Sequence, residues 1–166
     1  GPTDETGGSM LAKLLDDHER IAQLAAELSD FIAEDAPPFT ARFAQVRWNL
    51  ARELSTHLAV ETQILKEALR QKILLESHAN SLDLTLGEDL RQHIVRWPDP
   101  ELRDDWFAYR QDLEALLTRL QRRVEREETR IYPAIFGSSR LSGLGLAGRG
   151  RIALATWSGH LAISPQ

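Results

Sequence analysis

The stretch Gln121–Pro133, QRRVEREETRIYP, continues a helical pattern and places a carboxylate where a hydrophobic residue is expected. Residues three and four apart lie on the same face of a helix, so Glu127 shares its face with Val124 and Ile131. Arg123 precedes Glu127 by one turn on the same side. An ionised carboxylate in an apolar core is unfavourable unless it is paired or bound to a metal. The stretch therefore predicts a charged partner or a metal ion beside Glu127.

The composition predicts one globular domain. The chain has 166 residues, of which 42% are hydrophobic and 27% are charged. These values are typical of a globular protein large enough to form one core. The absence of cysteine excludes disulfides and thiolate metal sites. No apolar run approaches the ~18 residues of a membrane span and no signal-peptide pattern is present, so we expect a cytoplasmic protein without membrane contact.

The charge is distributed unevenly along the chain. Four arginines and no acidic residue follow Glu128, so residues 129–166 carry +4 and the rest carries −9 of the net −5. An acidic body argues against nucleic-acid binding. The basic tail could bind an acidic protein partner, or it could fold back on the acidic body. We favour the second interpretation, because four arginines over so many residues make a thin patch.

Hydrophobic periodicity predicts an all-α protein with four helical segments. The first runs from about Met10 to Ala33, and Thr40 is the expected cap of the second. The break after the second segment is expected between Arg70 and Ser77. The third segment runs to Trp97 as one helix, because its apolar residues fit a helical face better than a short strand. The fourth begins near Trp106 and carries Glu127. Short connections between amphipathic helices predict an up-down-up-down four-helix bundle.

The two ends of the chain differ from the body. Residues 1–9 are polar and Gly-rich, and we expect them to be a remnant of an expression tag before a bundle at 10–136. Residues 137–166 form a Gly-rich, basic tail. Its GLGLAG motif matches a dinucleotide-binding fingerprint, but no strand precedes it, so we interpret the match as accidental. Trp157 is the expected anchor if the tail covers one end of the bundle.

Several ionisable side chains fall on predicted core faces. A lone inward histidine or glutamate is more often a satisfied core residue than a ligand, and we place His93 and His160 in that class. The joint occurrence of the others indicates a metal site, because two carboxylates and several imidazoles at similar depth in a bundle are what such a site requires. These candidates are His18, the His57–Glu61 pair at helical spacing, His78 and Glu127.

The order of these residues resembles the hemerythrin-like family of HHE cation-binding domains. The resemblance rests on DDHERI, THLAVETQIL, ESHANS and REETRIYPAI, and it covers roughly Leu11 to Phe136. Its most specific part is the ordered set of four pieces closed by EETRIYP. The resemblance implies a four-helix bundle around a non-haem di-iron centre. It also implies binding or sensing of oxygen or iron, or the handling of nitric oxide and peroxide.

The resemblance also implies roles for the candidate residues. His18 and His57 would hold one iron, and Glu61 and Glu127 would bridge two. His78 would bind the second iron together with a histidine one turn before Glu127, where this chain has Arg123. Arginine offers no lone pair and cannot bind iron. Its charge can instead neutralise the carboxylates that a second metal would have neutralised.

Three states of the site stay open at the level of sequence. Either one metal is bound and Arg123 replaces the second, or no metal is bound and Arg123 pairs with Glu61 and Glu127, or an unrecognised ligand restores two metals. Sulfur-free ligands suit iron, manganese or zinc. We expect a regulatory domain that binds or senses a diatomic ligand or iron, with a metal-free interaction module as the alternative. An enzyme acting on peroxide is less favoured, because no nucleophile–base arrangement is evident.

Overall fold

The computed structural model describes residues 2–38 and 40–137, and in this part of the chain the protein is all-helical. The predicted all-α class is therefore confirmed for these residues. The tail predictions, including GLGLAG, Trp157 and His160, lie outside the described residues. The helices in chain order are α1 (Pro2–Ile32), α2 (Ala41–Arg70), α3 (Glu76–Asn80), α4 (Leu86–Arg96), α5 (Asp99–Asp104), α6 (Trp106–Arg126), a π-helical turn (Glu127–Ile131) and α7 (Tyr132–Phe136).

The boundaries of α2 follow local sequence signals. Thr40 caps the helix as predicted, and its side chain accepts a hydrogen bond from the Phe43 amide. The helix ends at Arg70, within the expected interval. Two residues later Lys72 has a φ of 59°. This left-handed conformation commonly ends helices and usually uses glycine, so a lysine at this position does not indicate the helix end in advance. Helix α1 begins at Pro2 rather than near Met10.

The prediction that the third segment forms a single helix is wrong. It consists of α3 and α4, separated by residues 81–85. The interruption lies where two arginines of α6 bind Asp83. Arg119 donates to the Asp83 carboxylate at 2.6 Å, and Arg123 donates to the Asp83 backbone carbonyl at 2.7 Å. The Asp83 carbonyl therefore accepts a hydrogen bond from a side chain of α6 instead of from an amide of a continuous helix. The short helix α5 after Pro98 was not predicted.

The core consists of two apolar halves, and α1 and α2 contribute to both of them. Helix α1 contacts α2 and α6, and α4 also contacts α2 and α6. The first apolar cluster includes Ile21 on α1, Leu54 on α2 and Val124 on α6. The second includes Leu15 on α1 and Leu65 on α2. Between these halves α1, α2 and the π-helical turn each carry buried polar residues. In the described residues, no helix is long and apolar enough to cross a membrane.

Candidate metal centre

Four buried side chains meet at the level between the two apolar clusters. They are the His–Glu cluster, His18, His57, Glu61 and Glu127. Each residue offers one nitrogen or oxygen atom, and these atoms all lie within 4.8 Å of one another. None of the four residues is more than 3% exposed. The 3.6-residue period that buries leucines above and below in α1 and α2 also turns these polar residues inward.

Both histidines hold a carboxylate on the ring nitrogen that points away from the cluster. The Nδ1 of His18 donates to Glu128 Oε2 at 2.7 Å, and the Nδ1 of His57 donates to Asp17 Oδ2 at 3.1 Å. A carboxylate accepts hydrogen bonds only, so each contact fixes the proton on Nδ1. In the neutral rings the lone pair is therefore on Nε2. Carboxylate–histidine pairs of this kind orient histidine ligands in metal sites.

The two Nε2 atoms face each other at 3.2 Å. Two lone pairs at this distance repel unless a proton or a cation lies between them. Two carboxylate oxygens that could also bind a metal ion are about as close. His57 Nε2 lies 3.1 Å from Glu61 Oε2, and His18 Nε2 lies 3.4 Å from Glu127 Oε1. Metal–ligand bonds of 2.0–2.2 Å in tetrahedral geometry separate neighbouring ligand atoms by about 3.3–3.6 Å. The three short distances would need a modest expansion to hold a small metal ion, and the widest separation, within 4.8 Å, a contraction.

Arg123 is the positive charge closest to the carboxylates of the cluster. Its Nη2 donates to Glu61 Oε1 at 2.7 Å, while its Nε lies 3.7 Å from Glu127 Oε2. The second contact is too long for a hydrogen bond. Arg123 Nε and Glu127 Oε2 have no hydrogen-bond partner in the described part of the chain. The guanidinium thus neutralises Glu61 directly and leaves one oxygen of Glu127 unsatisfied in the core.

Burial and mutual contact shift the pKa values of the cluster. Burial and then the negative charge of Glu61 raise the pKa of Glu127 to about 8. Burial opposes the charged form of His18, but hydrogen bonds to Glu127 and Glu128 outweigh it and raise the pKa of His18 to about 10. For Glu61 burial is outweighed by hydrogen bonds to Glu127 and His57, so its pKa is lowered. At neutral pH the metal-free cluster therefore retains protons that a metal ion would displace.

Three residues that contact the cluster were not predicted from the sequence. Asp17 and Glu128 hold the histidines, and the Tyr132 hydroxyl donates to Glu61 Oε2 at 2.9 Å. Glu128 and Tyr132 are brought inward by the π-helical turn, in which the Tyr132 amide donates to the Glu127 carbonyl, whereas Asp17 lies on α1 next to a histidine of the cluster. This wider turn lets Glu127, Glu128 and Tyr132 all be buried. Such turns are frequent at functional sites, but periodicity at 3.6 residues does not predict them.

The structure does not bring His78 into the cluster. It lies half-buried on α3, and its Nδ1 accepts a hydrogen bond from the Leu75 amide at 3.3 Å. The imidazole therefore takes part in capping its own short helix. His93 is buried away from the cluster, where its Nδ1 donates to Asp112. Of the six residues singled out from the sequence, the structure brings together His18, His57, Glu61 and Glu127, with Arg123 in contact.

No protein-family model matches this chain, and no curated protein or solved structure shows a significant match to it. The resemblance to hemerythrin-like domains therefore rests on the residues of this chain alone.

Proposed function

We propose that this chain is a hemerythrin-like domain that binds one non-haem iron ion in the His–Glu cluster. The observation that carries this proposal is the pair of facing Nε2 atoms of His18 and His57, each oriented by a carboxylate on Nδ1. In a dry core this arrangement is unfavourable without a bound cation or proton. The contacts of α1 with α2 and α6, and of α4 with the same two helices, support an up-down-up-down bundle.

A single ion is favoured over two because of Arg123. Its guanidinium lies against Glu61 and near Glu127, the two carboxylates that would bridge a second ion. A second cation there would meet a fixed positive charge in a medium of low dielectric constant. His78, the other ligand expected for a second iron, caps its own helix. The dinuclear alternative thus lacks two of its expected ligands.

The role we propose is regulatory sensing of oxygen, nitric oxide or iron. An iron ion with four protein ligands would supply a redox-active centre with room for a small ligand. The protein contributes the rest: Asp17 and Glu128 orient the histidines, Arg123 offsets the charge of Glu61, and the apolar halves exclude water. The ligands come from α1, α2 and the π-helical turn, so a change at the ion acts on three helical segments at once. That coupling favours a sensor.

A metal-free interaction module is the second candidate, and the Arg123–Glu61 contact of 2.7 Å favours it. In this state a proton on Glu127 and a positive charge on His18 would stabilise the cluster without metal. The function would then lie in protein contacts through the acidic body or the basic tail.

Metal content distinguishes these candidates. The protein would be expressed with added iron, purified without chelator or nickel, and analysed by plasma mass spectrometry. We expect about one iron per chain, as four convergent ligands can hold one ion. A ratio near two would contradict the single-ion proposal and require an unrecognised ligand. A folded protein without iron, manganese or zinc would support the metal-free module.

A further inference from the structure

A cavity of about 360 Å³ lies between α2, α4 and α6, away from the His–Glu cluster. Its lining residues are Leu28, Arg47, Trp48, Leu50, Ala51, Leu90, His93, Ile94, Trp97, Pro98, Asp99, Tyr109 and Leu113. Leu28 is ten residues from His18 on α1, which corresponds to about 15 Å along the helix. The volume is within the range of small-molecule sites, which are mostly apolar with a few polar groups.

The cavity has an aromatic wall that reaches the surface. Tyr109 is fully buried and packs against Trp97, with ring centroids 5.8 Å apart. The His93 ring stacks on Tyr109 from another side at 5.4 Å. Trp48 lines the same cavity but is 64% exposed, so its indole lies where the cavity meets solvent. An exposed indole beside an apolar cavity is a ready contact for an apolar ligand.

Most polar groups of the wall have partners inside the protein. Arg47 donates from Nη1 to Asp99 Oδ1 and from Nη2 to the Trp97 carbonyl, both at 2.7 Å. The Asp112 carboxylate accepts from His93 Nδ1 at 2.6 Å and from Trp97 Nε1 at 2.8 Å. These bonds fix the aromatic rings and the guanidinium before any ligand binds. A preformed wall of this kind lowers the entropic cost of binding.

The Tyr109 hydroxyl is the exception. It is buried and makes no hydrogen bond of ordinary geometry in the described part of the chain. Burial raises the pKa of Tyr109 to about 12, so the hydroxyl keeps its proton at neutral pH. The Arg47 guanidinium lies close enough to the Tyr109 oxygen to oppose this rise in pKa, but a guanidinium only donates, so the hydroxyl proton is left without an acceptor. A buried hydroxyl without an acceptor is unfavourable, and native proteins rarely leave one. Because Tyr109 lines the cavity, an acceptor on a ligand can satisfy it.

The neighbouring charge indicates what kind of acceptor fits. The Arg47 guanidinium lies over the Tyr109 ring, 5.4 Å from its centroid. Its partner Asp99 is 70% exposed, so solvent screens that carboxylate more than it screens the buried wall. Arg47 is the strongest charged influence on Tyr109, ahead of the carboxylates of Asp99 and Asp112, which act in the opposite direction. Its charge favours an acceptor oxygen that carries negative charge.

From this geometry we propose that the cavity binds a small ring-bearing molecule whose acceptor oxygen receives a hydrogen bond from the Tyr109 hydroxyl. The apolar ring body packs against Trp48 and Trp97, and a carboxylate is preferred over a neutral carbonyl because of Arg47. This site is independent of the proposed metal centre, and loss of metal leaves it intact.

The test is a titration followed by ¹H–¹⁵N NMR of the tryptophan indoles. The probes are 2-naphthoate, its neutral counterpart 2-acetonaphthone, and 2-ethylnaphthalene, which is one heavy atom smaller and has no acceptor. We expect 2-naphthoate to shift the Trp48 and Trp97 indole signals and to bind tightest, with 2-ethylnaphthalene weakest. Equal binding of all three probes, or no shift with any, would overturn the proposal.

Three variants make the titration specific. Tyr109→Phe removes only the hydroxyl and should weaken 2-naphthoate binding by about 10-fold, the effect of one hydrogen bond to a charged group. Without ligand its Tm should be no lower than that of the wild type, because the lost hydroxyl makes no hydrogen bond of ordinary geometry in the described part of the chain. A lowered Tm would reveal an internal partner and contradict the proposal. Ala51→Leu should fill the cavity and abolish binding, while Phe107→Leu, on the exposed face of α6, should leave it unchanged.

Discussion

Two buried histidines of this protein have similar partners on one ring nitrogen and different surroundings on the other. His57 donates from Nδ1 to Asp17, and His93 donates from Nδ1 to Asp112. Nε2 of His57 faces two further donor atoms, those of His18 and Glu61. The His93 ring instead stacks on Tyr109. A histidine–carboxylate pair is therefore a common structural unit, and it becomes a candidate metal site only where other ligands converge on the free nitrogen.

The largest expected effect is the loss of metal on removal of one histidine of the cluster. His57→Gln should lower the iron affinity by more than about 100-fold, since even residues that only orient a ligand change affinity by 10–100-fold. His93→Gln is the matched control, and its affinity should stay within about 2-fold because distant sites are independent. Competition with a chromophoric chelator measures both. Equal losses in the two variants would erase the distinction between the two histidines.

Removal of Arg123 should have the next largest effect, on the stability of the metal-free protein. Arg123→Ala should lower the free energy of unfolding by about 3–5 kcal/mol, because it leaves buried carboxylates without their positive partner. Urea unfolding of both proteins in the presence of chelator measures the difference. Arg122→Ala, at the exposed neighbouring position, should change stability by no more than about 0.5 kcal/mol. A comparable small change for Arg123→Ala would show that this guanidinium does not neutralise the cluster.

A smaller effect on iron affinity is expected from changes to Asp17 and Asp112, the carboxylates that bind His57 and His93. Asp17→Asn should weaken iron binding by about 10–100-fold, because an amide orients His57 less well and does not raise its basicity. Asp112→Asn changes the equivalent partner of His93 and should leave iron affinity unaltered. Calorimetric titration of each variant under anaerobic conditions would measure the effect. If Asp112→Asn weakens iron binding as much as Asp17→Asn, the two pairs do not differ in function.

Stability of the metal-free protein should depend on pH in opposite directions at His18 and at His93. The pKa of His18 is raised from 6.5 to about 10, so its contribution is complete below 6.5 and is lost as pH rises toward 10. The raised pKa of Glu127 acts in the same direction between 4.5 and about 8. Burial lowers the pKa of His93, so its protonation destabilises the fold as pH falls below 6.5. Each group contributes about 1.4 kcal/mol per pH unit, so the loss should be steepest between pH 6.5 and about 8, where both act.

Thermal melts from pH 5 to pH 10 in chelator test this dependence. His93→Gln should reduce the loss on the acidic side and leave the alkaline side unchanged. Iron should reverse the alkaline trend, because metal binding displaces the protons that His18 and Glu127 hold. A melting temperature that is constant from pH 6 to pH 9 without metal would contradict the protonation described for the cluster.

The sequence predicted the helices best where periodicity is regular and capping residues are present. Helix α2, with its Thr40 cap, shows both signals. The burial of His18 on α1, and of His57 and Glu61 on α2, was predicted from the same regular periodicity. Prediction failed at the third segment, because the contact of Arg123 with Asp83 is a long-range interaction that local patterns do not encode. It also missed Tyr132, since the π-helical turn changes the period by one residue.

The most direct test of the central claim is anomalous diffraction at the iron edge from crystals of the iron-loaded protein. A single bound ion should give one anomalous peak about 2.0–2.2 Å from Nε2 of His18 and of His57 and from an oxygen of Glu61 and of Glu127. Asp17 and Glu128 should remain bonded to the opposite ring nitrogens, with Arg123 beside Glu61. A second peak at the guanidinium position, or a peak elsewhere with the two histidines still in contact, would contradict the central claim.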